Sequence, residues 1–135
     1  MTHVPADLRR LVVQRSGDRC EYCHLSQAGQ EATFHIDHVR PMTMGGPTAA
    51  SNLALACVSC SLRKGGKETA IDPDTGLEFP IFNPRQDDWS EHFDWEVVRL
   101  IGLTPIGRAT IHALDLNRPL ILSIRHEEAA VGRHP

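Results

Sequence analysis

The sequence predicts a small α+β domain gathered around a sulfur-ligated metal. Three observations carry that expectation. The four cysteines fall into two Cys-x-x-Cys pairs, Cys20/Cys23 and Cys57/Cys60, with 33 residues between them. The stretch TFHIDHV alternates with the period of a strand, and a second short apolar run, NLALA, leads into the second cysteine pair. Segments near both ends place apolar residues at helical spacing. The chain has 135 residues, enough for one modest core, so residues 1–135 are expected to form a single domain. Aromatic residues make up only 5%, too few for a large aromatic core, which leaves room for a metal to contribute to folding.

Taken in order, residues 5–16 predict a first helix, opened by Pro5 and stopped by Gly17, with Leu8, Leu11 and Val12 on one face. Residues 24–32 are a polar connection. Thr33 to Val39 predict a strand that alternates Phe34, Ile36 and His38 against His35 and Asp37 and ends at Pro41. MTMGGPTAAS reads as a loop. Ser61 to Lys64 predict the start of a short helix ended by Gly65 and Gly66. Residues 68–92, rich in Asp, Pro and Gly, predict an irregular, largely solvated crossing anchored by Phe79, Ile81 and Phe82. Phe93 to Leu103 predict a strand pair or one long strand. Thr104 and Pro105 open a helix expected to reach about Asn117, and a last helix follows Pro119 to about Val131.

Charge divides the chain. Residues 1–67 hold eight Lys/Arg and five Asp/Glu, whereas residues 68–135 hold six and twelve. The half with the cysteines can therefore offer a positive face to phosphates although the whole chain carries −3. The acidic half is expected to face away from a nucleic acid and is a candidate surface for a protein partner. No apolar run is long enough to span a membrane, and Leu11 to Val13 is too short for a signal-peptide core, so a cytoplasmic location is expected.

Two Cys-x-x-Cys turns that converge supply four soft ligands around one point, which is what tetrahedral zinc requires. Structural Zn²⁺ on Cys20, Cys23, Cys57 and Cys60 is the expectation. Two disulfides fit poorly with a chain lacking a secretion signal, and a redox pair lacks its usual context. His24, beside Cys23, is expected at the surface.

DHVRP at residues 37–41, then Gly45-Gly46, Asn52-Leu53, CVSC and LRK, framed by the earlier CEYC, resembles the zinc-containing HNH endonucleases. The likeness covers residues 20–64; residues 20–67 are expected to form the core, with 68–135 a C-terminal strand and helix extension packed on it. It implies a ββα-metal unit, in which a hairpin and a helix hold one divalent ion. It implies His38 as general base, Asp37 as principal ligand of a catalytic Mg²⁺ or Mn²⁺, and Asn52 as the residue that ties the long hairpin loop. The family's usual second ligand, Asn or His after the final cysteine, is here Ser61. Ser61 is therefore an expected ligand, with His35 as a substitute because it shares a strand face with Asp37. Arg40, Arg63 and Lys64 are expected to contact DNA phosphates, with RNA as an alternative substrate. The competing expectation is a zinc-stabilised binding module whose nuclease site is weakened at Ser61.

Overall fold

The computed structural model describes residues 3–135. Helix α1 spans Ala6–Arg15, entered from Pro5 and left through Gly17 and Asp18, both at positive φ. Its buried residue is Val12, with Leu8 and Val13 packed beside it. Leu11, expected on the same face, is exposed, so the buried stripe lies one residue round from the expected one. Arg15 ties the end of the helix to the carbonyls of Ala50 and Leu53, at 2.9 and 2.7 Å.

Strand β1, His35–His38, pairs antiparallel with β2, Leu53–Ala56, in a register that sets Asp37 opposite Ala54 and His38 opposite Leu53. All four residues of β2 are buried. Helix α2, Val58–Lys64, begins three residues before the expected Ser61 because Cys57 sits at its N-cap and accepts from the Cys60 amide. The helix ends at Gly65, φ 51°, as expected for a glycine stop. Hairpin and helix together make a ββα unit over the segment where the sequence predicted one.

Residues 68–92 are more ordered than expected. Strands β3, Thr69–Ile71, and β4, Glu78–Pro80, form an antiparallel hairpin, and a short helix α3 covers Trp89–His92. The turn between β3 and β4 is organised by Asp72, whose carboxylate accepts from the Asp74 amide and the Thr75 hydroxyl. Arg108 grips both oxygens of the same carboxylate, at 3.0 and 2.9 Å. Strands this short carry too little alternation to announce themselves.

The strand-pair alternative holds for the next segment: β5, Phe93–Glu96, pairs with β6, Arg99–Gly102, through a turn with Val97 at φ 58°. Helix α4, Pro105–Leu114, is capped by Thr104, whose hydroxyl accepts from the Gly107 amide. It stops at Asp115, in a left-handed conformation, short of the expected Asn117. Helix α5 spans Pro119–Ala130.

Helix α4 packs on β3, β4, β6 and α2, which brings the C-terminal half onto the hairpin-helix unit. One buried cluster draws on both halves, from Val12, Tyr22, Leu53 and Leu55 to Phe82, Phe93, Leu114 and Ile121. Trp89 joins them directly. Its indole donates to the Tyr22 carbonyl at 3.0 Å, and its ring stacks on His24 at 4.0 Å. Trp89 therefore packs on the first cysteine turn, and His24 lies under an aromatic ring instead of at the open surface. Among the described residues, no helix is long and apolar enough to cross a membrane.

Candidate active site and sulfur cage

The two Cys-x-x-Cys turns meet. One precedes β1 and the other opens α2, and pairing β1 with β2 carries the second turn back to the first. The ligand atoms of Cys20, Cys23, Cys57 and Cys60 all lie within 4.8 Å of one another, and all four residues are buried. Among the described residues this is the one such cluster of three or more His, Cys, Asp or Glu side chains. Zn–S bonds of about 2.3 Å in a tetrahedron put neighbouring sulfurs about 3.8 Å apart. The Cys23 and Cys57 sulfurs are 3.7 Å apart, and none of the four forms a disulfide. Burial pushes the Cys20 thiol up from its ordinary value, and hydrogen bonding to neighbouring sulfurs does the same to Cys60. Four thiolates held this closely require a cation among them, and the donor set fits zinc. Arg125 adds a second sign: it lies within electrostatic reach of Cys23, Cys57 and Cys60, and its buried Nη2 has no hydrogen-bond partner. A cation so placed suits a cage whose four thiolates outweigh the charge of one zinc ion.

The Asp-His pair lies at the edge of the hairpin next to α2. Asp37 and His38 line a shallow, open pocket of about 260 Å³ together with Ser61, Gly65 and Gly66 from α2 and its end, and Met42 and Thr43 from the loop after β1. Asp37 is only 8% exposed. Its Oδ2 accepts from the Tyr22 hydroxyl at 2.7 Å and lies 3.2 Å from Lys64 Nζ. Burial pushes the Asp37 carboxyl above its ordinary value, while Lys64, the Tyr22 hydroxyl and His38 pull it back. His38 Nε2 is 2.9 Å from the Thr48 hydroxyl. His35 Nδ1 is 2.9 Å from Ser61 Oγ, so the two expected alternative ligands touch each other. Carboxylate, hydroxyl and imidazole donors on adjoining elements are a set that hard divalent cations accept.

Asn52 is buried and closes the loop that follows β1. Its Oδ1 accepts from the Arg40 amide at 2.9 Å, and its Nδ2 donates to the carbonyls of Arg40 and Pro47 at 3.1 and 2.9 Å. The loop is closed so tightly that a Cβ on Gly46 would fall 1.8 Å from the Arg40 carbonyl oxygen.

Lys64 corrects an expectation. It was expected to meet DNA phosphates, but it is 2% exposed, with Nζ on Asp37 and, at 3.0 Å, on the His38 carbonyl. The side chain turns inward because α2 packs this face against β1, where a buried carboxylate demands a partner. Arg40 and Arg63 are exposed, but each has an acidic neighbour from the C-terminal half: Arg40 lies 3.5 Å from Glu68, and Arg63 lies 3.8 Å from Asp115. The acidic half therefore does not simply face away; two of its carboxylates sit against the expected phosphate contacts. The sequence reading missed Tyr22, Thr48 and Arg125. Tyr22 offered one signal, its place between two cysteines, but its contact with Asp37 exists only after the first turn folds over β1.

A cysteine cage, a hairpin and a helix thus gather into one ββα unit with an Asp-His pair at an open pocket beside it. Residues 20–67 match the family model described as HNH endonuclease. The match covers the cage, the hairpin, α2 and the glycines that end it, and leaves the C-terminal half outside. No curated protein and no solved structure matches the chain.

Proposed function

We propose that residues 20–67 form a metal-dependent endonuclease centre that hydrolyses phosphodiester bonds in DNA. The observation that supports it best is the meeting of Asp37, His38 and Ser61 on one open pocket beside the cage, within the segment that matches the HNH model. His38 is the general base. Nε2 lies 2.9 Å from the Thr48 hydroxyl, so in this role Nδ1 would take the proton from water and Nε2 would carry its own proton toward the threonine oxygen. Asn52 holds the loop that carries Thr48 and so helps aim the imidazole. Asp37 and Ser61, with His35 behind Ser61, are the residues for Mg²⁺ or Mn²⁺, which would stabilise charge on the phosphate and the leaving oxygen. Arg40 and Arg63 neutralise flanking phosphates after giving up Glu68 and Asp115. The cage on Cys20, Cys23, Cys57 and Cys60 holds structural Zn²⁺.

The test is cleavage of supercoiled plasmid in Mg²⁺ or Mn²⁺ by the wild type and His38→Ala, with a structured RNA run in parallel. Cutting by the wild type alone supports the assignment; equal cutting by both proteins removes His38 from the reaction. One observation favours a second reading, a zinc-stabilised binding module with a weakened nuclease site. Ser61 already bonds His35 and Asp37 already holds Lys64, so the pocket's donors are partly satisfied by the chain itself. Ser61→Asn separates the two readings: a large gain in cleavage marks the natural site as weakened.

A further inference from the structure

Tyr22 is the only tyrosine in the chain, and its side chain is fully buried. It lies between Cys20 and Cys23, and the turn that carries it is fixed from several sides. Glu21 donates its amide to the Leu55 carbonyl at 2.8 Å, His24 donates to the Cys20 carbonyl at 2.9 Å, and Trp89 holds the Tyr22 carbonyl. The ring ends on Asp37. Oδ2 of that carboxylate takes both the Tyr22 hydroxyl, at 2.7 Å, and the closer approach of Lys64, at 3.2 Å. Oδ1 has only the longer contact to Lys64, at 3.5 Å. The two oxygens are therefore unequal: Oδ2 is committed to the protein, and Oδ1 keeps lone pairs for another partner.

We propose that Tyr22 is the positioning residue of Asp37: its hydroxyl, carried between two sulfur ligands of the cage, fixes the carboxylate so that Oδ1 is presented to a divalent cation in the pocket. The proposal rests on the reading of Asp37 as a ligand of that cation. It gives the cage and the cation pocket a second link, beside α2, which already carries Cys60 and Ser61 next to each other. A buried tyrosine that merely satisfied its own hydroxyl would affect stability and leave cation affinity alone.

The experiment uses the full zinc-loaded chain. Mn²⁺ binding is followed by the electron paramagnetic resonance of the free ion in the wild type, Tyr22→Phe and Asp37→Asn, with zinc content measured for each. Outer partners of metal ligands commonly govern affinity by about 10- to 100-fold, so Tyr22→Phe should keep its zinc and raise the Mn²⁺ dissociation constant by roughly tenfold. An unchanged constant in Tyr22→Phe, with Asp37→Asn clearly weakened, overturns the role of Tyr22 alone. Equal binding by wild type and Asp37→Asn removes the cation site itself, and this proposal with it. Should Tyr22→Phe lose zinc, a second measurement decides. Growth on 3-fluorotyrosine labels this one position, and Mg²⁺ should shift its ¹⁹F resonance in otherwise wild-type protein but not in Asp37→Asn. A resonance that Mg²⁺ leaves in place overturns the proposal.

Discussion

Replacing Asn52 tests how the pocket is held, because two substitutions at that position should differ in a direction that bulk packing does not explain. Asn52→Ala removes three hydrogen bonds, one accepted from the Arg40 amide and two donated to the carbonyls of Arg40 and Pro47. At about 1 kcal/mol net for each bond, the loss is about 3 kcal/mol. For a chain of this size that corresponds to roughly 10 °C in Tm. Asn52→Asp is nearly isosteric and keeps the acceptor, yet it should be worse than alanine. It turns a carboxylate oxygen toward two carbonyl oxygens that stood 3.1 and 2.9 Å from the amide nitrogen. A buried charge without a partner costs at least about another 1 kcal/mol. Urea unfolding of zinc-loaded protein, with zinc content checked for both variants, supplies the comparison. An Asn52→Asp protein as stable as the wild type would show that the side chain does not tie this loop, and the account of how His38 is aimed would fall with it.

Four further outcomes are expected. Lys64→Met should lower stability by about 3 kcal/mol, because it strands a buried carboxylate, whereas Arg63→Ala should cost under about 1 kcal/mol, because its pair with Asp115 is solvent-screened; denaturant titration compares them. Gly46→Ala should destabilise the chain measurably by calorimetry, since its Cβ meets backbone and the Asn52 amide, neither of which can step aside. Metal analysis should find one zinc per chain, and stripping it with a chelator should abolish the cooperative thermal transition.

The fourth outcome concerns pH. The Asp72 carboxylate accepts from the Asp74 amide, the Thr75 hydroxyl and Arg108, and hydrogen bonding from Arg108 holds its carboxyl down at about 2. An unfolded aspartate titrates near about 3.9. The contribution of Asp72 is therefore complete above that value and is lost as pH falls toward about 2. The Tm gap between wild type and Asp72→Asn should narrow across that window, with any release of metal common to both proteins. A constant gap would show that the pair does not titrate as described.

The sequence reveals most where chemistry depends on spacing. The cysteine pairs, the Asp-His step and Asn52 sit in one short segment; the four cysteines meet as their spacing led us to expect, and Asn52 bonds across the loop as the resemblance implied. Helix ends were legible for the same local reason: Thr104 and Gly65 act on their own backbone. The β3–β4 hairpin was not, because its order comes from Asp72 reaching Arg108, 36 residues away. Lys64 was misread for a related reason. The sequence shows a basic residue near a helix end, but the direction of its side chain depends on how α2 settles against β1. The neighbours of Arg40 and Arg63 also come from the distant acidic half, where charge counts show an excess but not its address.

The indole of Trp89 bonds to a carbonyl in the first cysteine turn, although the tryptophan lies well beyond residue 67. The recognisable segment is therefore not portable by itself. Grafted onto another protein without this aromatic shelf, it would arrive with an open flank and a loosened knuckle. Engineering that borrows the unit must bring the tryptophan, or a flat donor standing in its place.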